Sequence, residues 1–93
     1  MDIYRKDGLF YIGDEDNPTA FIKYTLEEGV LNLNSTFVGE SLRGGGIAGK
    51  LMAKAIDYAR EEGLLIRPIC SYAVKYFERH PEDRDVEFQS NQD

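Results

Sequence analysis

A chain of 93 residues amounts to one domain, which excludes a two-domain enzyme. Apolar residues make up 42%, with five Phe and six Tyr, enough for a core, but no run approaches the ~20 apolar residues of a membrane span, and the start Met1-Asp2-Ile3-Tyr4-Arg5-Lys6 lacks the apolar stretch of a secretion signal. A net charge of −6 argues against a general nucleic-acid binder, and one cysteine (Cys70) with one histidine permits neither an internal disulfide nor a structural zinc site, so no metal is expected and a reducing, cytoplasmic setting is.

After the turn signal Asp7-Gly8, the run Leu9-Phe10-Tyr11-Ile12 reads as a strand, and the polar Asp14-Glu15-Asp16-Asn17-Pro18 as a loop. From Thr19 to Leu26, Ala20, Ile22, Tyr24 and Leu26 alternate with Phe21, Lys23 and Thr25, as a half-buried strand requires. Glu27-Glu28-Gly29 turns the chain into a third strand over 30–38. Strict alternation there puts Val30, Asn32, Asn34 and Thr36 on one face and Leu31, Leu33, Ser35 and Phe37 on the other. The three strands form an antiparallel meander. Beyond Gly46 the period changes: Ile47, Leu51, Ala55 and Met52, Ile56, Ala59 recur every three or four residues, predicting an amphipathic helix that ends at Gly63. A short buried strand (Leu64-Leu65-Ile66) precedes Pro68, and a second helix from Ser71 to Arg79 carries Tyr72, Ala73, Tyr76 and Phe77 on one face before His80-Pro81 stops it. The expected fold is therefore α+β, in the order β-β-β-α-β-α, with a parallel crossover through the first helix. Residues 78–93 carry six acids against two bases. The expected division is one domain over 1–85 and an acidic, flexible tail over 86–93, read as a solvated terminus.

The segment Leu42-Arg43-Gly44-Gly45-Gly46-Ile47-Ala48-Gly49-Lys50-Leu51 matches three phosphate-binding patterns at once. Gly44, Gly46 and Gly49 give G-x-G-x-x-G, but a dinucleotide fold needs a strand feeding the first glycine and a larger repeated βαβ sheet. Gly44, Gly49 and Lys50 give a P-loop in which Leu51 replaces the hydroxyl that holds magnesium. Arg43, Gly46 and Ala48 supply [R/Q]-x-x-G-x-[G/A] at the start of a helix that follows a strand and a short loop. There the glycines admit an anion to the backbone, the first amides of the helix donate to it, and the helix dipole favours it. A pyrophosphate suits that position. The plainer alternative is a glycine-rich turn before a surface helix.

This segment resembles the acetyl-coenzyme A pyrophosphate loop of the GNAT acetyltransferases. Pro68-Ile69-Cys70-Ser71-Tyr72 with His80-Pro81-Glu82 resembles their short, stand-alone YjdJ-like branch, over roughly Gly8 to Asp85. The resemblance implies a truncated GNAT fold without the helices that other members insert after the first strand, and so an open acceptor side. It implies an acetyl-coenzyme A-dependent N-acetyltransferase acting on a primary amine, whether a small molecule or a protein lysine; the net charge and the lack of a long apolar run lead to neither nucleic acid nor membrane being expected as partner. It also implies that Phe37 and Val38 pair with the pantetheine arm and that Arg43, Gly44, Gly45, Gly46, Ile47 and Ala48 hold the pyrophosphate. Two features depart from the family: Ser35 stands where the branch often has a His before Thr36, and Phe77 falls where larger members carry a tyrosine acid, with Tyr76 one residue short.

Acetyl transfer to an amine requires a neutral amine, a donor for the developing oxyanion and a proton for the departing thiolate. The backbone near Val38 is a candidate donor. Cys70 precedes a helix N-terminus, which favours its thiolate; it is the candidate catalytic residue, as covalent nucleophile or pocket wall, and a buried structural thiol is the alternative. His80 is placed to cap a helix or face water, and Lys50 and Lys54 either meet the cofactor's 3′-phosphate or form a solvated face. With no evident general base, a non-catalytic acyl-coenzyme A binding module is the chief rival reading, followed by an interaction domain using the acidic tail.

Overall fold

A computed structural model of the chain describes residues 2–89. Five strands form one sheet in sequence order: β1 (Tyr4–Lys6), β2 (Leu9–Asp14), β3 (Asn17–Glu27), β4 (Val30–Val38) and β5 (Leu65–Pro68). Neighbours run antiparallel except β4 and β5, which are parallel, and the 16-residue helix α1 (Ile47–Glu62) makes the crossover between them. The architecture is the α+β one expected, with β1 as an addition. Its residues Tyr4, Arg5 and Lys6 are exposed or half-buried, so this edge strand has no buried alternation for sequence reading to detect.

Phe10, Ile12, Ala20, Ile22, Tyr24, Leu31, Leu33 and Ile66 face α1 and form one core cluster with Ile47, Leu51, Met52, Ala55, Ile56 and Ala59, the six helix residues predicted to be buried. Gly63 closes α1: its amide donates to the carbonyl of Arg60 (3.4 Å), and the Leu64 amide donates to that of Ala59 (2.8 Å), a Schellman ending. Helix α2 (Ser71–Arg79) spans the predicted residues and buries Ala73 and Phe77 in the same cluster. On the opposite sheet face the buried amide of Asn32 is fully used. It donates to Glu27 (2.9 Å) and Thr25 (3.3 Å) and accepts from Arg67 (2.7 Å), tying β3, β4 and β5 together.

The boundary expected at residue 85 falls inside packed chain. A 3₁₀ segment (Pro81–Val86) buries Val86, Glu87 bridges to Ile66, and the Phe88 amide donates to the Ile66 carbonyl. The Arg67 guanidinium lies 4.4 Å over the Phe88 ring. Burial of Val86 outweighs the acidic character of the segment, so a free tail does not begin at 86; residues 90–93 of the expected tail lie outside the described residues.

Arg60 of α1 clamps this segment through Asp83 (3.2 Å) and Asp85 (2.7 Å). Its hydrogen bonds hold the Asp85 carboxyl below its ordinary value of 3.8. A carboxyl whose folded value is depressed stabilises the fold above its unfolded value and loses that contribution as pH falls through the folded one. Val86 methyl resonances are therefore expected to shift toward unfolded positions on acidification below about pH 3.8, and Asp85→Asn should remove most of that pH dependence. Wild-type and variant profiles that coincide would show that the clamp does not hold the segment.

Candidate functional site

The site begins with a fault in the β3–β4 ladder. Tyr24 pairs with Leu33 and Lys23 with Ser35, leaving Asn34 as an extra residue, a β-bulge. Its side chain donates to Thr25 (3.2 Å). Because side chains alternate with period two, one inserted residue exchanges the faces beyond it. Thr36 and Val38 consequently pair with the inward-facing Ile22 and Ala20, while Phe37 pairs with Phe21 on the outer face, where the two rings stack at 5.4 Å. The strict alternation expected for this strand, with Thr36 on the face of Asn32 and Phe37 on that of Leu33, does not hold.

At the same bulge β4 parts from β5. Their parallel pairing ends at Leu33 opposite Pro68, and the Leu33 carbonyl accepts from the amides of both Ile69 (3.2 Å) and Cys70 (3.1 Å). Beyond that point β4 runs on five residues along one wall of a cleft, and α2 begins the other. Cys70 sits at the apex. It is the N-cap of α2 without capping through its side chain; its Sγ instead lies 3.3 Å from Thr36 Oγ1, within hydrogen-bond reach.

The cleft opens onto the glycine segment. Gly39 leaves β4 so close to β3 that a Cβ there would stand 2.7 Å from the Thr19 carbonyl oxygen. A 3₁₀ turn (Glu40–Leu42) follows, and Arg43 folds back so that its Nε donates to the Val38 carbonyl at 2.9 Å. Gly46, at φ 74° and ψ 19°, turns the chain into α1 in a left-handed conformation that side chains resist. No side chain caps this helix start. The first intrahelical bond is that of the Lys50 amide to the Gly46 carbonyl (3.1 Å), so the amides of Ile47, Ala48 and Gly49 have no partner within the helix. They face a cavity of about 320 Å³ lined by Val38, Leu42, Arg43, Gly44, Gly46, Ile47, Ala48, Gly49 and Tyr72.

A family model described as GCN5-related N-acetyl-transferase matches residues 9–86. This chain belongs to the GCN5-related N-acetyltransferase (GNAT) family. It is similar to a GCN5-like candidate N-acetyltransferase from Staphylococcus aureus solved by NMR, with 32% identity, a TM-score of 0.79, and coverage of 98% of this chain and 91% of that one. It is also similar to a candidate acetyltransferase from Agrobacterium tumefaciens (32% identity, TM-score 0.60, covering 81% of this chain and 58% of that one). A GNAT-family acetyltransferase from Staphylococcus aureus, at 22% identity and a TM-score of 0.56, shares the fold over 81% of this chain and 52% of its own. The GNAT chain thus spans little more than half the length of the latter two. Curated proteins provide no significant match.

The GNAT cleft brings together six of the nine residues expected to bind cofactor: Val38, Arg43, Gly44, Gly46, Ile47 and Ala48. Gly45 lies in the loop outside the lining, and Lys50 is exposed on the flank of α1. The Phe37 side chain is 43% exposed on the far face, so only its backbone faces the cleft edge. Cys70 lies at the apex, beyond the lining. His80 stacks on the Tyr76 ring at 3.9 Å, with Nδ1 2.9 Å from the Tyr76 carbonyl, and closes α2. Tyr76 is engaged too, its hydroxyl donating to Asp83 (3.3 Å). Tyr72 is the lining residue that helical periodicity assigns to the core; desolvation raises its hydroxyl above the ordinary 10.0 and keeps it a donor. Thr36 left no local trace in the sequence, because its partner Cys70 is 34 residues away.

Among the described residues no helix is long and apolar enough to cross a membrane, and no cluster of three His, Cys, Asp or Glu is arranged to hold a metal.

Proposed function

We propose that this protein is an acetyl-coenzyme A-dependent N-acetyltransferase of the YjdJ-like branch, acting in the cytoplasm on a primary amine of a small molecule or a protein lysine. The carrying observation is the uncapped start of α1 at the mouth of the β4–β5 cleft. Three free amides, glycines whose Cβ positions at 44 and 46 meet nothing within 4 Å, and the positive helix end suit a diphosphate. In this reading Gly44 to Ala48 hold the diphosphate, the free edge of β4 around Phe37 and Val38 lies along the pantetheine arm, Arg43 braces the loop against β4, and Lys50 approaches the 3′-phosphate. The thioester then points toward Cys70.

Acetyl-coenzyme A supplies an activated acetyl group. Transfer requires the amine nitrogen to bond to the acetyl carbon, the C–S bond to break and the proton shed by nitrogen to end on the thiolate. Cys70, with Thr36 at 3.3 Å, either walls the thioester or accepts acetyl before passing it on. One observation favours a second reading, a non-catalytic acyl-coenzyme A binding module: among the described residues no carboxylate or imidazole lines the cavity.

Coenzyme A titrated into the labelled protein is expected to move the amide resonances of Gly44 to Gly49, and turnover of acetyl-coenzyme A with a panel of amines separates enzyme from binding module. Bound acetyl-coenzyme A should slow iodoacetamide labelling of Cys70 by occupying the same space. Cys70→Ala that keeps affinity but loses transfer gives the thiol a chemical role, and unchanged transfer makes it a wall. Labelling unaffected by saturating ligand would remove Cys70 from the thioester's neighbourhood.

A further inference from the structure

The Tyr72 hydroxyl makes no hydrogen bond to any described residue, and Tyr72, unlike Tyr11 and Tyr58 whose hydroxyls are also unbonded, lines the cavity in front of α1. It projects from the second residue of α2 into the cavity in front of α1. A Cβ built on Gly49 would lie 3.8 Å from it, with nothing else within 4 Å. A Cβ is about 2.5 Å from its own amide nitrogen, which places Tyr72 Oη within about 6 Å of Gly49 N. One oxygen accepting two hydrogen bonds of ~2.9 Å joins donors roughly 4.5–5.8 Å apart, a separation that this upper bound admits. Gly49 lines the same cavity as the hydroxyl.

We infer that Tyr72 is a further ligand of the diphosphate, its hydroxyl donating to an oxygen held on the Gly49 amide, so that the anion is gripped from α2 as well as from α1. This rests on the cofactor reading above and adds a determinant of affinity outside the glycine loop. A neutral phenol suits the task, since it supplies a donor to an anion without the solvation cost of a second buried charge.

Tyr72→Phe tests it, keeping the ring and deleting only the donor. Binding is read by amide NMR titration with two probes: coenzyme A, and pantetheine, which has no diphosphate. Coenzyme A affinity is expected to fall roughly ten- to hundredfold, as for a lost hydrogen bond to a charged group, with pantetheine affinity unchanged and circular dichroism native. Equal coenzyme A affinity in wild type and Tyr72→Phe would overturn the inference alone. A loss that is the same for both probes would also overturn it, by moving the contact to the arm. Failure of the wild type to bind coenzyme A would overturn the cofactor reading and this inference together.

Discussion

Gly46→Asp is expected to abolish coenzyme A binding while leaving the far-UV circular dichroism spectrum native. A Cβ at this position meets nothing within 4 Å, and Gly46 lines the same cavity as Ile47, Ala48 and Gly49, so the carboxylate is introduced at the edge of the space that the amides face. The fold has reasons to tolerate it: aspartate visits left-handed backbone more readily than most residues, and a carboxylate at a helix N-terminus is favourable by about 0.3–1 kcal/mol. The ligand has none. A fixed negative charge ~4 Å from an anion costs about 1–4 kcal/mol at effective dielectric constants between water and a protein surface, and the carboxylate competes for the same donors. Repulsion alone lowers affinity by roughly fivefold to nearly a thousandfold, and competition for the donors adds to the loss. Gly46→Ala serves as the uncharged control, bearing the left-handed strain of about 1–2 kcal/mol with a much smaller loss of affinity. Undiminished coenzyme A binding by Gly46→Asp would remove the diphosphate from this loop.

Phe77→Ala should have the largest effect on stability. Phe77 is 1% exposed and is the large side chain by which α2 enters the core, Ala73 being the other buried residue of that helix. Truncating a buried Phe costs about 3–5 kcal/mol, a large share of the roughly 5–15 kcal/mol that holds a domain together. In a domain this small the melting temperature should drop by roughly 12–40 °C. Cys70 and Tyr72 sit at the start of this helix, so whatever population remains folded should also bind coenzyme A less well. Val74→Ala, on the exposed side of the same helix, should change little. Similar melting curves for Phe77→Ala and Val74→Ala would show that α2 is not held through its buried face.

Legible in the residues alone were the elements whose signal is local. Both helices announce themselves by spacing, since a core on one side of a 3.6-residue repeat imposes it directly; the six buried positions of α1 and the limits of α2 follow. The glycine loop is equally local, because left-handed turns and close backbone approach select glycine at the position concerned. What tertiary structure decided depends on partners distant in sequence. The bulge at Asn34 exists only in relation to β3, and it turned Thr36 toward Cys70 and Phe37 away from the cleft. Edge strand β1 is held by its ladder to β2 and buries little, so hydrophobic patterning misses it. The acidic stretch after His80 docks because Val86 finds the core and Arg60 finds two carboxylates, which net charge does not record. Tyr72 reads as core by helical period; only the packing of α2 beside α1 turns its hydroxyl into a donor facing Gly49. Periodicity specifies which side of an element is buried, whereas the meeting of side chains from two elements is fixed by register and packing, and the site is made of such meetings.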